Sequence, residues 1–196
     1  MNPLSIGCLP LLLLPLACAT IGNHPHSDSD CGPECCAADG SKAECGTQAP
    51  KTLPANLDAE KREKLLGAVK ALEGDWTNED GEHTQIRVSS GGSIVREIMF
   101  PGQPFEMTNV YRLDGNDLCV THFCAVGNQP QMRATALGDG EIAFAPDGVG
   151  DYKGPSDLYM GSLVLDLMDA DHFDQVWTSF TDGEVVDTMT IHWTRD

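Results

Sequence analysis

The chain has 196 residues and a formal net charge of −18. That length suits one domain with an extension. So acidic a surface argues against nucleic acid, whose phosphates call for Lys and Arg, and against docking on anionic lipid through a basic face; it supplies a solvated, solubilising exterior instead.

At the N-terminus, Leu9 to Leu16 form an apolar run followed by Ala17 and Cys18. The run has the length of a signal-peptide core and is too short to span a bilayer. Pro15-Leu16-Ala17-Cys18 resembles a bacterial lipobox, although leucine is usual where Pro15 stands and no Lys or Arg precedes the run. Residues 1–18 are therefore expected to direct export to the cell envelope or periplasm. Cys18 is the candidate lipid-attachment site, and this anchor is the only membrane contact expected.

Residues 19–52 consist mainly of Gly, Ser, Pro, Asp and Cys, without periodicity or large apolar side chains, and are expected to form a flexible tether. They hold His24, His26, Cys31, Cys35, Cys36 and Cys45, residue types that can ligate a soft or borderline metal. The spacing follows no zinc framework, and in an oxidising compartment disulfides are the simpler outcome.

Residues 53–196 form the expected folded domain. Leu57 to Leu72 predicts a helix, with Leu57, Leu65, Leu66, Val69 and Leu72 near one face, Asp58 as its cap and Gly74 just past its end. The period then changes to two. Strands are predicted over Asp75–Glu79, His83–Ser90, Ser93–Phe100, Phe105–Leu113, Asp117–Val126, Gln131–Leu137, Glu141–Ala145, Met160–Met168, His172–Phe180 and Glu184–Thr194. Turn chemistry separates them at Asp80-Gly81, Gly91-Gly92, Pro101-Gly102, Asp114-Gly115, Gly138-Asp139-Gly140 and Asp182-Gly183. Pro146 to Tyr159 predicts a longer loop over one mouth. The pattern implies an all-β, antiparallel up-and-down barrel of about ten strands, whose closure would remove exposed edges; a sandwich is the competing architecture.

Leu72-Glu73-Gly74-Asp75-Trp76, a helix followed by Gly-x-Trp entering the first strand, resembles the opening of lipocalin-like (calycin) barrels. The resemblance implies that a late arginine, here Arg195, lies over Trp76 and helps close the barrel, a cation–π contact. Phe100 to Thr108, Tyr111-Arg112-Leu113-Asp114-Gly115 and Thr121 to Pro130 resemble an uncharacterised family of bacterial exported barrels. That likeness implies a fold and no reaction. Haem-binding barrels of the nitrobindin type are a related architecture with a late axial histidine, for which His192 is the positional candidate; haem is the one cofactor the resemblance raises.

The densest chemistry lies in Asp117 to Met132. Alternation places Leu118, Val120, His122 and Cys124 on one face, and Cys119, Thr121, Phe123 and Ala125 on the other, so a Cys119–Cys124 disulfide is not expected. An inward His122 and Cys124 could form a thiolate–imidazole pair or contribute two metal ligands, with Glu106 as third partner. Equally, Cys124 can be a small buried residue and His122 a hydrogen-bonded structural one. Asn128 and Gln129 either present amides at a barrel mouth or stabilise the turn. Glu106 and Arg112 share a face, inside or out. Met107, Tyr111, Met132, Met160, Met168, Met189, Trp177 and Trp193 are candidates for a pocket lining or for plain core. The leading expectation is an exported barrel that binds a small, mainly apolar ligand through His122, Cys124, Asn128, Gln129, Met107, Tyr111 and Trp177. The alternatives are an enzyme built on His122, Cys124 and Glu106, a haem or metal carrier, and a structural module without a ligand.

Overall fold

The computed structural model describes residues 56–196. The expected signal segment, lipid-attachment residue Cys18, and the tether residues His24, His26, Cys31, Cys35, Cys36 and Cys45 lie outside the described residues.

Helix α1 spans Ala59–Lys70 and begins where Asp58 accepts a hydrogen bond from the Lys61 amide at 2.9 Å, satisfying one orphan donor of the first turn. It buries Leu65, Leu66 and Val69, while Leu57 stays outside the helix and is exposed. Lys61 pairs with Asp117 at 3.0 Å and Asn116 accepts from the Asp58 amide at 2.8 Å, so the helix is fastened to the turn between two strands, β4 (Met107–Asp114) and β5 (Asp117–Phe123).

Ten strands follow: β1 (Gly74–Thr77), β2 (His83–Ser89), β3 (Ile94–Met99), β4, β5, β6 (Gln129–Ala134), β7 (Glu141–Gly150), β8 (Tyr159–Leu167), β9 (His172–Thr181) and β10 (Glu184–Arg195). Each pairs antiparallel with its sequence neighbour, and β1 pairs with β10, giving a closed up-and-down barrel. The expected loop from Pro146 is shorter than predicted, because β7 continues to Gly150. Gln131 pairs with Gly148 and Met132 with Pro146, so Asp147 bulges out and Pro146, which lacks an N–H, sits where the ladder is already interrupted. Strand β5 ends at Phe123 rather than Val126, since the Cys124 amide bonds to the Asn128 carbonyl and starts the turn.

The seam holds the closing contact. Trp76 pairs with Arg195, and the guanidinium carbon lies 4.1 Å from the centroid of the buried indole. Arg195 also donates to the carbonyls of Glu73 at 2.8 Å, Ala71 at 3.1 Å and Ala170 at 2.8 Å, and the Trp76 indole donates to Leu72 at 2.8 Å. A Cβ on Gly74 would stand 2.5 Å from an Arg195 nitrogen, which explains the glycine ahead of the tryptophan. Phe173 meets Trp76 edge-on at 4.7 Å and stacks against Trp193 at 6.5 Å. This end of the barrel is therefore filled by aromatic rings and the buried face of α1. The connections 78–82, 100–106, 124–128, 151–158 and 182–183 gather at the other end.

Replacing Arg195 removes the cation–π contact and three charge-assisted hydrogen bonds at once. Arg195→Ala should lower unfolding free energy by about 3 kcal/mol, and Arg195→Lys should recover only part of it, because an ammonium cannot reproduce the planar fork. Urea unfolding midpoints at constant m-value check this.

Candidate functional site

Strand β3 carries the origin of the site. Val95, Glu97 and Met99 share the inward parity and are all buried, so the alternation that builds the barrel also drives a carboxylate into its centre. Four neutral side chains meet it. Thr84 at 3.0 Å and Gln175 at 2.9 Å donate to Oε1; Asn109 at 2.7 Å and Tyr111 at 2.8 Å donate to Oε2. Loss of water raises the Glu97 pKa, and the four hydrogen bonds oppose that rise. The same burial, together with the neighbouring carboxylate, raises the Tyr111 pKa well above its ordinary value.

From Glu97 the hydrogen bonds run outward. Gln175 gives its amide protons to the carboxylate and accepts at its oxygen from the Trp193 indole at 3.0 Å and the Trp177 indole at 3.4 Å. Asn109 gives its amide protons to Glu97 and to the Met99 sulfur at 3.3 Å, leaving its oxygen 2.7 Å from Nδ1 of His122. An amide oxygen only accepts, so the Nδ1 proton is on the imidazole and Nε2 is a bare lone pair. His122 is buried and packs against Trp177 with ring centroids 4.8 Å apart. Burial lowers its pKa to about 4, so the ring is neutral near neutral pH. Its Nε2 is buried and has no partner, a condition shared among the described residues only by Oδ1 of Asn128.

His122 forms part of the wall of a cavity of about 300 Å³ at the end opposite α1. The rest of the wall is Glu82, Met99, Phe100, Phe105, Met107, Met160, Trp177, Met189 and Ile191. Thioethers and aromatic rings dominate it, which makes an adaptable apolar surface. Among the described residues, every exposed large hydrophobic side chain except Leu57 and Met168 sits at this end, including Phe105, Phe123, Val185 and Met189.

The residues expected from the sequence separate into two groups. His122, Met107, Met160, Met189 and Trp177 line the cavity, whereas Tyr111 is not part of its wall and belongs to the Glu97 network. The others stand elsewhere. Glu106 is exposed and accepts from the Gly102 amide at 2.6 Å, closing the 100–106 turn, so it does not face His122. Cys124 is half-buried in the next turn and is not part of the cavity wall; the trio His122, Cys124 and Glu106 does not converge. Arg112 takes the outer parity of β4, opposite Tyr111. Cys119 and Cys124 are both free thiols. Asn128 is buried and donates to the Leu158 carbonyl at 2.8 Å, which anchors the 151–158 connection, and Gln129 donates to Gly127 at 2.9 Å. Met132 and Trp193 are core, and Met168 is exposed at the opposite end. His192 points outward and bonds Asp174 at 2.8 Å, so it cannot serve as an axial ligand within the barrel. No cluster of three or more His, Cys, Asp or Glu gathers for a metal among the described residues.

Glu97, Asn109 and Gln175 escaped the sequence reading although a signal was present. Glu97 sits between Val95 and Met99, and Gln175 between Phe173 and Trp177, at positions whose parity is apolar on both sides. No family model and no curated protein matches the sequence.

His122 makes a pH-dependent contribution to stability. Its folded pKa of about 4 lies below the ordinary 6.5, so the unfolded chain binds the proton first. Stability from this group is full above pH 6.5 and lost as pH falls toward 4, by about 3 kcal/mol in all. Glu97 acts with the opposite sign: its raised pKa means stability falls as pH rises through the window above its ordinary value. The urea-unfolding free energy of wild type minus that of His122→Phe should therefore fall by about 3 kcal/mol from pH 7 to pH 4.

Proposed function

We propose that the barrel binds a small, mainly apolar molecule in the cavity beside His122, as a member of the exported lipocalin-like barrels. The supporting observation is the unpartnered, buried Nε2 of His122, a residue of a cavity wall that is apolar apart from Glu82. A buried polar atom without a hydrogen bond costs about 1–3 kcal/mol, a cost that a ligand supplying the partner would remove. A pocket that joins an apolar surface to one or two polar contacts is the usual form of a small-molecule site. About 300 Å³ suits a compact ligand and is small for a macrocycle such as haem. The apolar rim gives such a molecule a surface to land on. Export, with lipid attachment at Cys18, belongs to the same proposal and rests on the apolar run Leu9 to Leu16 and the cysteine behind it.

An environment-sensitive apolar dye, N-phenyl-1-naphthylamine, should bind the full chain with saturable fluorescence, one dye per chain, at about micromolar Kd. Filling the cavity by Met107→Trp or Met160→Trp should weaken binding about tenfold or more while leaving the far-ultraviolet circular dichroism unchanged. Non-saturating binding, or saturation that neither substitution alters, rejects the cavity as the site.

A further inference from the structure

We infer that the cavity selects a neutral, mainly apolar molecule carrying one hydroxyl or N–H donor, and that Glu97 imposes this choice through Asn109 and His122. The inference rests on the cavity reading above and adds the ligand's chemical class. Glu97 is acceptor-only in its ionised form, and the two amides beside it, Asn109 and Gln175, both turn their NH2 groups toward it. The orientation of Asn109 is thereby fixed, with its NH2 toward Glu97 and its oxygen toward His122. The oxygen fixes the tautomer of His122, and the tautomer leaves Nε2 as an acceptor. Each step reverses the sense of the next bond, so the last member of the chain can be satisfied only by a donor. An ether or ketone of the same shape brings an acceptor against an acceptor. A carboxylate does worse, because it meets the Nε2 lone pair with a charge, above a buried carboxylate and beside Glu82 in the wall. Trp177 packed at a tilt against the imidazole, with Phe100 and Phe105 in the same wall, favours an aromatic carrier for the donor.

The network also predicts what reverses the choice. Gln175 cannot turn over, because its oxygen holds the indole N–H groups of Trp193 and Trp177. In Glu97→Gln the new side chain must therefore keep its oxygen toward Gln175 and direct its NH2 toward Asn109 and Tyr111. Asn109 then presents its oxygen to residue 97 and its NH2 to His122. The imidazole answers by moving its proton from Nδ1 to Nε2.

The test uses the full chain and three probes of one shape: 4-propylphenol, 4-propylanisole and 4-propylbenzoate. Wild type should bind the phenol about tenfold or more tightly than the anisole, with the benzoate weakest. Glu97→Gln should abolish or invert the phenol–anisole preference. Imidazole ¹⁵N chemical shifts without ligand should report a bare Nε2 in wild type and a bare Nδ1 in Glu97→Gln. If phenol and anisole bind wild type equally, the ligand class is overturned while the cavity reading survives. If no probe binds, both fail. A protonated Nε2 in ligand-free wild type overturns the relay itself, and this measurement needs no variant to fold.

Discussion

A carboxylate stripped of water inside a β-barrel must be met by donors, and that requirement organises the interior of this protein. Glu97 lies on β3 between two apolar residues of the same parity, so it cannot turn to solvent without reversing the strand. Three other strands contribute a neutral polar group to it: Thr84 from β2, Asn109 and Tyr111 from β4, and Gln175 from β9. These groups have their own remaining valences to satisfy, which explains why two indoles and an imidazole are held at fixed orientation around them. The demand created by one buried carboxyl group is passed outward until it reaches Nε2 of His122, where no protein group answers it. A half-satisfied network of this kind is destabilising in a pure scaffold, and so its open end marks the place where function is most economically sought.

The closed sheet makes this arrangement possible by separating two tasks. At one end α1, Trp76, Phe173 and Trp193 fill the barrel, and Arg195 locks the first strand to the last through its contact with Trp76 and its bonds to Ala71 and Glu73. The opposite end then need not be packed. It carries methionines and aromatic rings around a cavity, and exposed apolar side chains around the mouth. Rigid closure below holds the polar layer in register across the barrel, while flexible thioethers above can adapt to different shapes. The two halves meet at the layer that contains Asn109, His122 and Trp177.

Much of the fold was legible because side-chain alternation is local. The helix with its Asp58 cap, the ten strands, the Gly-x-Trp entry and the pairing of Trp76 with Arg195 all follow from short-range pattern or from resemblance. The errors also have local causes. Pro146 and Gly148 read as loop, although a bulge lets a strand run through them. His122 and Cys124 share parity on paper, but the strand ends between them, at Phe123, and the turn that begins there takes Cys124 away from the cavity. Glu106 looked like a partner for His122 from its strand position, whereas it belongs to the preceding turn.

The sequence by itself determined the period and the order of the strands, since these depend only on neighbours along the chain, but not which face of β5 turns inward. Only the tertiary structure decided which inward side chains share a height in the barrel. Closure brings Gln175 against Glu97 from seventy-eight positions away and sets Asn109 opposite His122 through the β4–β5 register. Hydrogen-bond sense depends on such cross-strand distances, to a few tenths of an ångström. It therefore took the folded barrel to turn a histidine in a strand into a neutral, acceptor-only anchor.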